Sequence, residues 1–152
     1  MTTAPGPEQR RLEPLVGRWK TEGWTRELPD APTQRIDAFD TYEWLHGGFA
    51  LLHLVDARVG DEKVDGAEII GYDPERGLYL TQYFGSDGPN AYEAELEDQG
   101  DAVVWRMRSA NDRFTGTFDD DLEVLTGHWE LLDDQGSWLA WMDITLTKQP
   151  TP

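Results

Sequence analysis

The sequence has no cysteine among its 152 residues, which excludes disulfide frameworks, thiol nucleophiles and thiolate metal sites. Basic residues are also scarce, because 13 Lys and Arg stand against 30 Asp and Glu, for a formal net charge of −17. Such an acidic chain repels phosphate backbones and anionic lipid surfaces, so we expect neither nucleic acid nor a membrane as a partner. No apolar run is long enough to cross a bilayer, and the start, MTTAPGPEQRR, lacks the apolar stretch of a signal peptide. We therefore expect a cytoplasmic protein.

Metal-binding and hydrolase motifs are missing as well. The histidines His46, His53 and His128 share no ligand spacing such as HExxH, so we predict no metal site. The acidic run Asp119 to Asp121 lacks the central Gly and distant Glu of a calcium loop and is typical of a solvated turn. No serine lies in a GxSxG context. Carboxylates, histidines, hydroxyls and aromatic rings remain for any chemistry.

The chain is rich in aromatic residues, with 7 Trp, 5 Tyr and 5 Phe, and its hydrophobic fraction of 38% is enough for a folded core. Its length predicts one domain. We expect a disordered tail at residues 1–7, a single domain at residues 8–148 and a second tail at residues 149–152. A short helical turn is predicted between Glu8 and Val16, ending at Gly17.

From Gly17 onward, short β-branched and aromatic segments alternate with turn residues about every ten positions, a rhythm typical of all-β proteins. The short connections make neighbouring strands antiparallel. Since an open sheet of this size would leave two exposed edges, the prediction is an all-β, closed, antiparallel up-and-down barrel of about ten strands. The predicted strands are 17–26, 36–46, 48–58, 65–73, 77–86, 89–97, 101–109, 111–119, 122–132 and 136–148.

Alternation of side chains along each strand predicts which residues line the barrel. Tyr92, Ala94 and Leu96 alternate with three glutamates, for example, and must therefore face inward. One discrepancy arises in this register, because the loop from Gly85 to Pro89 needs an odd residue or a bulge to preserve the phase. The predicted lining is Trp19, Tyr42, Trp44, Phe49, Leu51, Ile69, Leu80, Phe84, Tyr92, Trp105, Met107, Phe114, Phe118, Trp138 and Met142.

The same register directs five polar residues inward. Asp40 and His53 would be diagonal neighbours on adjacent strands, with Tyr42 directly opposite His53. A carboxylate beside an imidazole favours the charged ring and could move a proton, so His53 and Asp40 are the candidate catalytic residues. The alternative is a polar cluster that only satisfies its own hydrogen bonds. The five residues are Thr21, Asp40, His53, Gln82 and Glu123.

Four segments of the chain resemble a known family. They resemble a bacterial lipocalin-like (calycin) family of unknown function that is related to nitrobindin, and this resemblance implies a closed barrel that binds a small apolar ligand. It further implies that Trp19 plugs one barrel end. Nitrobindins bind haem through a His on the last strand, a position that Trp141 occupies here, so no haem is expected there. The segments are LVGRW at 15–19, YEWLHGGF at 42–49, IGYDP at 70–74 and WMDITLTK at 141–148.

Three functions are compatible with these observations. The first is a carrier or sensor of a small hydrophobic or aromatic molecule held in the barrel. The second is a cofactor-independent cyclase or isomerase that uses the same cavity, and the third is a haem protein that uses His53 or His128. The oligomeric state is open, a homodimer included. The candidate ligand-binding residues are Trp19, Tyr42, Trp44, Leu51, His53, Gln82, Phe84, Tyr92, Trp105, Met107, Trp138 and Met142.

Overall fold

The computed structural model describes residues 4–151, which form two short helical segments followed by ten strands. The predicted N-terminal tail therefore lies partly outside the described residues, as does the last residue of the predicted C-terminal tail. The elements are α1 (Pro7–Arg10), a 3₁₀ turn (Glu13–Leu15), β1 (Gly17–Thr25), β2 (Arg35–Trp44), β3 (Ala50–Val59), β4 (Glu62–Asp73), β5 (Leu78–Gly85), β6 (Gly88–Gln99), β7 (Ala102–Arg108), β8 (Asp112–Phe118), β9 (Val124–Leu132) and β10 (Trp138–Lys148).

The ten strands form a closed barrel in which each strand pairs antiparallel with its neighbours in sequence. Closure is made by β1 and β10, which pair from Trp19 opposite Lys148 to Thr25 opposite Met142. The predicted fold class is thus confirmed. Within residues 4–151, no helix is long and apolar enough to cross a membrane.

One end of the barrel is closed by the N-terminal segment. Leu12 and Leu15 are fully buried there against Trp19, which is 1% exposed and donates its indole N–H to the Leu15 carbonyl at 2.8 Å. The segment is tied to other strands by hydrogen bonds from Trp44 to Glu13 and from Tyr79 to the Glu8 carbonyl. This end, which we call the closed end, contains the most tightly packed part of the core.

The predicted inward phase is correct for most strands but wrong for β4 and β5. Ile69, Leu80 and Phe84 face outward and are 45%, 40% and 55% exposed, and Gln82 lies on the same outer face. The inward residues of these strands are instead Glu68, Ile70 and Tyr72 on β4 and Tyr79, Thr81 and Tyr83 on β5.

The predicted odd residue in the loop after Gly85 was a consequence of this phase error. Gly85 pairs directly with Gly88, so a regular two-residue connection at Ser86 and Asp87 joins β5 to β6 without a bulge. With β6 correctly oriented by Tyr92, the register places Thr81 opposite Tyr92 and therefore inside.

Three further predicted inward positions are corrected. The turn after β9 holds one residue more than predicted, between the hydrogen-bonded Asp133 and Ser137, so Trp138 pairs with Leu132 rather than Leu131. A bulge between Ala140 and Met142 reverses the phase of β10, so Met142 faces inward while Trp138 lies outside beneath the Arg113 guanidinium. Phe49 lies in the turn before β3 and is 42% exposed. Glu123 is exposed in the loop before β9.

Candidate functional site

A row of polar side chains crosses the barrel interior on five adjacent strands, β1 to β5. His53 lies at its centre, with Nε2 2.6 Å from Asp40 Oδ1 and Nδ1 2.8 Å from Glu68 Oε1. The outer oxygens of the two carboxylates accept hydrogen bonds from hydroxyl groups, Asp40 from Thr21 and Glu68 from Thr81. All five side chains are buried. We call this row, Thr21, Asp40, His53, Glu68 and Thr81, the polar belt.

The geometry of the polar belt favours a protonated imidazole. Each ring nitrogen of His53 faces a carboxyl oxygen, and a ring that donates to two carboxylates carries a hydrogen on both nitrogens, whereas a neutral imidazole carries only one. Burial alone would lower the pKa of His53, but the hydrogen bonds to Asp40 and Glu68 outweigh it and raise the pKa from 6.5 to about 9. At neutral pH the belt therefore holds one cation between two carboxylates.

Tyr42 contacts His53 by ring stacking. Its ring stacks on the imidazole, with centroids 4.0 Å apart and planes within 8°. Burial and the nearby charges of Asp40 and Glu68 raise the pKa of the Tyr42 phenol well above its usual value. The electron-rich ring thus covers one face of the imidazolium and stays neutral.

A second polar group lies in the interior between β6 and β8. Tyr92 donates a hydrogen bond to Asp112 at 3.0 Å and accepts one from Asn90 at 2.7 Å, and Ser109 donates to the other oxygen of Asp112. Burial, followed by the charge of Asp112, raises the pKa of Tyr92. The interior therefore carries three acidic side chains, Asp40, Glu68 and Asp112, and the basic side chain of His53. Among the inward residues that the structure describes between the two barrel ends, there is no Lys or Arg to balance the acidic groups.

Beyond the polar belt, the barrel end opposite the N-terminal segment is less tightly packed. Trp129 meets Tyr92 and Phe114 at ring-centroid distances of 5.8 and 5.1 Å, and meets Trp141, the extra residue of the β10 bulge, at 6.2 Å. Trp129, Trp141 and the inward Tyr83 remain half-buried, whereas Trp19, Tyr79, Trp105 and Phe118 at the closed end are at most 5% exposed. At the rim of the closed end, Trp44 and Tyr72 are half-buried as well. We call this second end the open end.

The structure separates the candidate ligand-binding residues into three groups. Trp19, Leu51 and Trp105 belong to the core at the closed end, and the half-buried Trp44 packs against it. Gln82, Phe84 and Trp138 lie on the outer face, contrary to prediction. The remaining candidates lie inside, beside the polar belt or toward the open end: Tyr42, His53, Tyr92, Met107 and Met142.

Sequence reasoning missed Glu68, Thr81, Tyr83, Trp129 and Trp141. The first three were missed because the predicted phase of β4 and β5 was inverted. A prediction with a regular two-residue turn after Gly85 would have placed all three inside the barrel. The alternation of Trp129 with the exposed His128 along β9 is the signal that could have identified Trp129 as an inward residue. Trp141 points inward only because of the bulge, for which the sequence has no clear signal.

The remaining histidines do not join this site. His128 is exposed on the outer face of β9, and His46 is exposed in the turn between β2 and β3. A haem would need a neutral imidazole nitrogen as its axial ligand, and both nitrogens of His53 are bound to carboxylates. The residues present therefore do not fit a haem site in the interior.

Comparison with known proteins places the chain in a family and confirms the fold. Residues 4–148 match the profile of a family described as "Protein of unknown function (DUF1579)". No curated protein has significant sequence similarity to this chain.

The solved structures that are similar to this barrel include the following two. The crystal structure of Rv2717c from M. tuberculosis superposes with a TM-score of 0.75 at 12% identity, covering 95% of this chain and 99% of that one. An S-type phycobiliprotein lyase, CPES from Guillardia theta, gives 0.63 at 9% identity, covering 95% and 94%. At these identities the likeness establishes the shared fold.

Proposed function

We propose that this chain, which belongs to the DUF1579 family, is an intracellular binding protein for a small hydrophobic or aromatic molecule. The molecule is held inside the barrel and enters from the open end. The observation that carries the proposal is the accessibility of inward-facing aromatic side chains at that end. Trp129, Trp141 and Tyr83 point toward the barrel interior yet stay half-buried, in contrast to Trp19 and Trp105 at the closed end. Accessible aromatic surface inside a barrel is what an apolar ligand would cover.

The distribution of side-chain sizes supports the same location. On β2 and β3 the inward residues between the polar belt and the open end include Ala38 and Ala57, which pair with each other. On β5, β9 and β10 the inward residues at the same end include Tyr83, Trp129 and Trp141, beside Leu131 and Met142. A planar molecule at this end would contact small side chains on one part of the wall and rings on another.

The polar belt supports binding rather than catalysis. A general base needs a free nitrogen or oxygen within reach of its substrate, and both His53 nitrogens are occupied by Asp40 and Glu68. The same occupation argues against the haem alternative. We assign the belt to supporting the wall below the ligand, where its buried charges satisfy each other.

The experiment compares binding of indole, as an aromatic probe, to wild type, Ala57→Phe and Ala140→Phe by isothermal titration calorimetry. Ala57 faces the interior, while Ala140 pairs with Glu130 on the outside at the same barrel end. We expect Ala57→Phe to weaken indole binding by about tenfold or more while keeping the melting temperature, because the new ring occupies the ligand space. Ala140→Phe should bind like wild type.

Two results would overturn the proposal. A strong drop in melting temperature for Ala57→Phe would mean that the interior is already filled and is being overpacked. Equal indole binding by all three proteins would place the probe elsewhere. Native and denaturing mass spectra of freshly purified protein complement the titration, since a co-purified small molecule would appear only in the native spectrum.

A further inference from the structure

The outer face of β3 to β6 has an unusual composition for so acidic a chain. Leu54, Ala67 and Phe84 are successive register partners across β3, β4 and β5, and Leu52, Ile69 and Gln82 form the adjacent row. Leu54, Ile69, Leu80 and Phe84 are each at least 40% exposed. These positions contain no charged side chain, although 28% of the residues in the chain are charged. We call Leu52, Leu54, Ile69, Leu80, Phe84 and Ala91 the outer apolar face.

The ion pairs that border this face sum to zero, because its two sides carry opposite net charges. On one side Lys63 forms ion pairs with Asp56 and Asp65, for a net charge of −1. On the other side Glu93 pairs with Arg76 and Arg108, for a net charge of +1. The other residues of the chain carry the net charge of −17, and one of them, Glu43, lies opposite Leu52 at the edge of the face. Two copies of the chain repel each other, and this repulsion is reduced where the ion pairs cancel.

We propose that the outer apolar face is a homodimer interface, in which two copies pack their β3 to β6 faces against each other about a twofold axis. Contiguous exposed apolar surface on a soluble protein marks an interaction site more often than it remains solvated. A twofold arrangement presents the same face from both copies, so an uncharged apolar centre with balanced borders is complementary to itself. Protruding Phe84 of each copy packs beside Leu80 and Ile69 of the other.

The size of the face predicts a weak dimer. The apolar rows together with their bordering ion pairs cover four strands about 4.8 Å apart and about eight residues long, which at roughly 3.3 Å per residue project an area of about 500 Å². This area is below the roughly 800 Å² per partner of a standard protein interface and is typical of weak, concentration-dependent association. The interface lies on the barrel wall, so it leaves the open end accessible and is independent of what the interior binds.

Sedimentation velocity over a range of protein concentrations tests the proposal. Wild type should sediment as a species of twice the 17.3 kDa chain mass. Ile69→Asp and Phe84→Asp should each raise the dimer dissociation constant by about a hundredfold or more, because each introduces two buried charges into a twofold interface. The matched control is Trp24→Asp, since Trp24 is 50% exposed on the outer face of β1.

The remaining outcomes each contradict the proposal. A wild-type protein that stays at 17.3 kDa at every concentration has no such interface. Dissociation by Trp24→Asp, with dimers retained in Ile69→Asp and Phe84→Asp, would place the interface elsewhere. Loss of the dimer on raising the salt concentration would also contradict an apolar interface, because screening of the net charge should favour association here. Near-UV circular dichroism confirms that each variant is folded.

Discussion

At the residue scale, the arrangement around His53 links the fold to pH. The pKa of His53 is about 9 in the folded chain and about 6.5 in the unfolded chain. Because the folded value is the higher one, the stabilisation is fully present below pH 6.5 and is lost as the pH rises through 9. A rise of this size corresponds to about 3 kcal/mol in the free energy of unfolding.

We therefore predict that the free energy of unfolding, measured with urea, falls by about 3 kcal/mol between pH 6.5 and pH 9.5 through loss of this one proton. The His53→Gln variant should lack that component of the fall. His128→Gln, which changes an exposed histidine on the outer face, should retain it. An equal pH dependence in wild type and His53→Gln would show that His53 is not held as a cation by its two carboxylates.

The sequence predicted part of this cluster and missed part of it. The predicted register of β2 and β3 correctly placed Tyr42 opposite His53 and Asp40 diagonal to it. Glu68 was missed because a glutamate beside two isoleucines is normally the solvated member of the pattern. It is buried here because His53, on the next strand, supplies the opposite charge.

At the element scale, the inner walls of β8 and β9 are shaped by a pair of glycines. Gly116 and Gly127 are register partners, and the Phe114 ring lies over both of them. A side chain at Gly116 would come within 2.7 Å of the Phe114 ring, and one at Gly127 would approach it more closely still. Phe114 in turn contacts Trp129, so these glycines set the position of the rings at the open end.

Gly127→Ala should consequently destabilise the barrel by about 1–3 kcal/mol through overpacking, as measured by chemical unfolding. Phe114→Leu in the same chain should restore part of the loss, since the smaller side chain vacates the space over the glycine. Gly71→Ala is the control on another strand, because the nearest atom to its new methyl would be Ala50 Cβ at 3.9 Å. Equal effects of Gly127→Ala and Gly71→Ala would indicate that strand propensity, rather than the ring, limits this position.

The phase of a strand was predictable wherever charged and apolar residues alternate, as in β6 and β7. It was ambiguous in β4 and β5, where Ile69 and Ile70, or Tyr83 and Phe84, are neighbours of similar hydrophobicity. The ambiguity has a physical origin, because both faces of these strands are apolar: one lines the interior and the other forms the outer apolar face. In β10 the bulge at Trp141 reverses the phase of Trp138 relative to Met142. The position of a bulge depends on tertiary packing, and the alternation of residues along a strand does not reveal it.

At the scale of the whole molecule, closure of the barrel was predictable because short connections dictate an antiparallel meander and exposed edges are unfavourable. The sequence predicted one of the two barrel ends. The segment with Gly17 and Trp19 indicated the plugged end. The hydrogen bonds that join the N-terminal segment to β1, β2 and β5 were not predictable, because most of them link residues far apart in sequence. The half-buried rings at the open end result from the bulge and from Gly116 and Gly127, and the proposed binding function depends on them.

The seven tryptophans report on every part of the molecule, which allows a direct test of where a ligand binds. Trp129 and Trp141 lie at the open end, Trp19, Trp44 and Trp105 at the closed end, and Trp24 and Trp138 on the outside. The measurement is ¹⁹F NMR of protein labelled with 5-fluorotryptophan, titrated with indole and assigned by single Trp→Phe variants. We predict that the resonances of Trp129 and Trp141 shift while those of the closed end stay fixed. Shifts confined to Trp24 and Trp138, or no shift at all, would contradict binding inside the barrel.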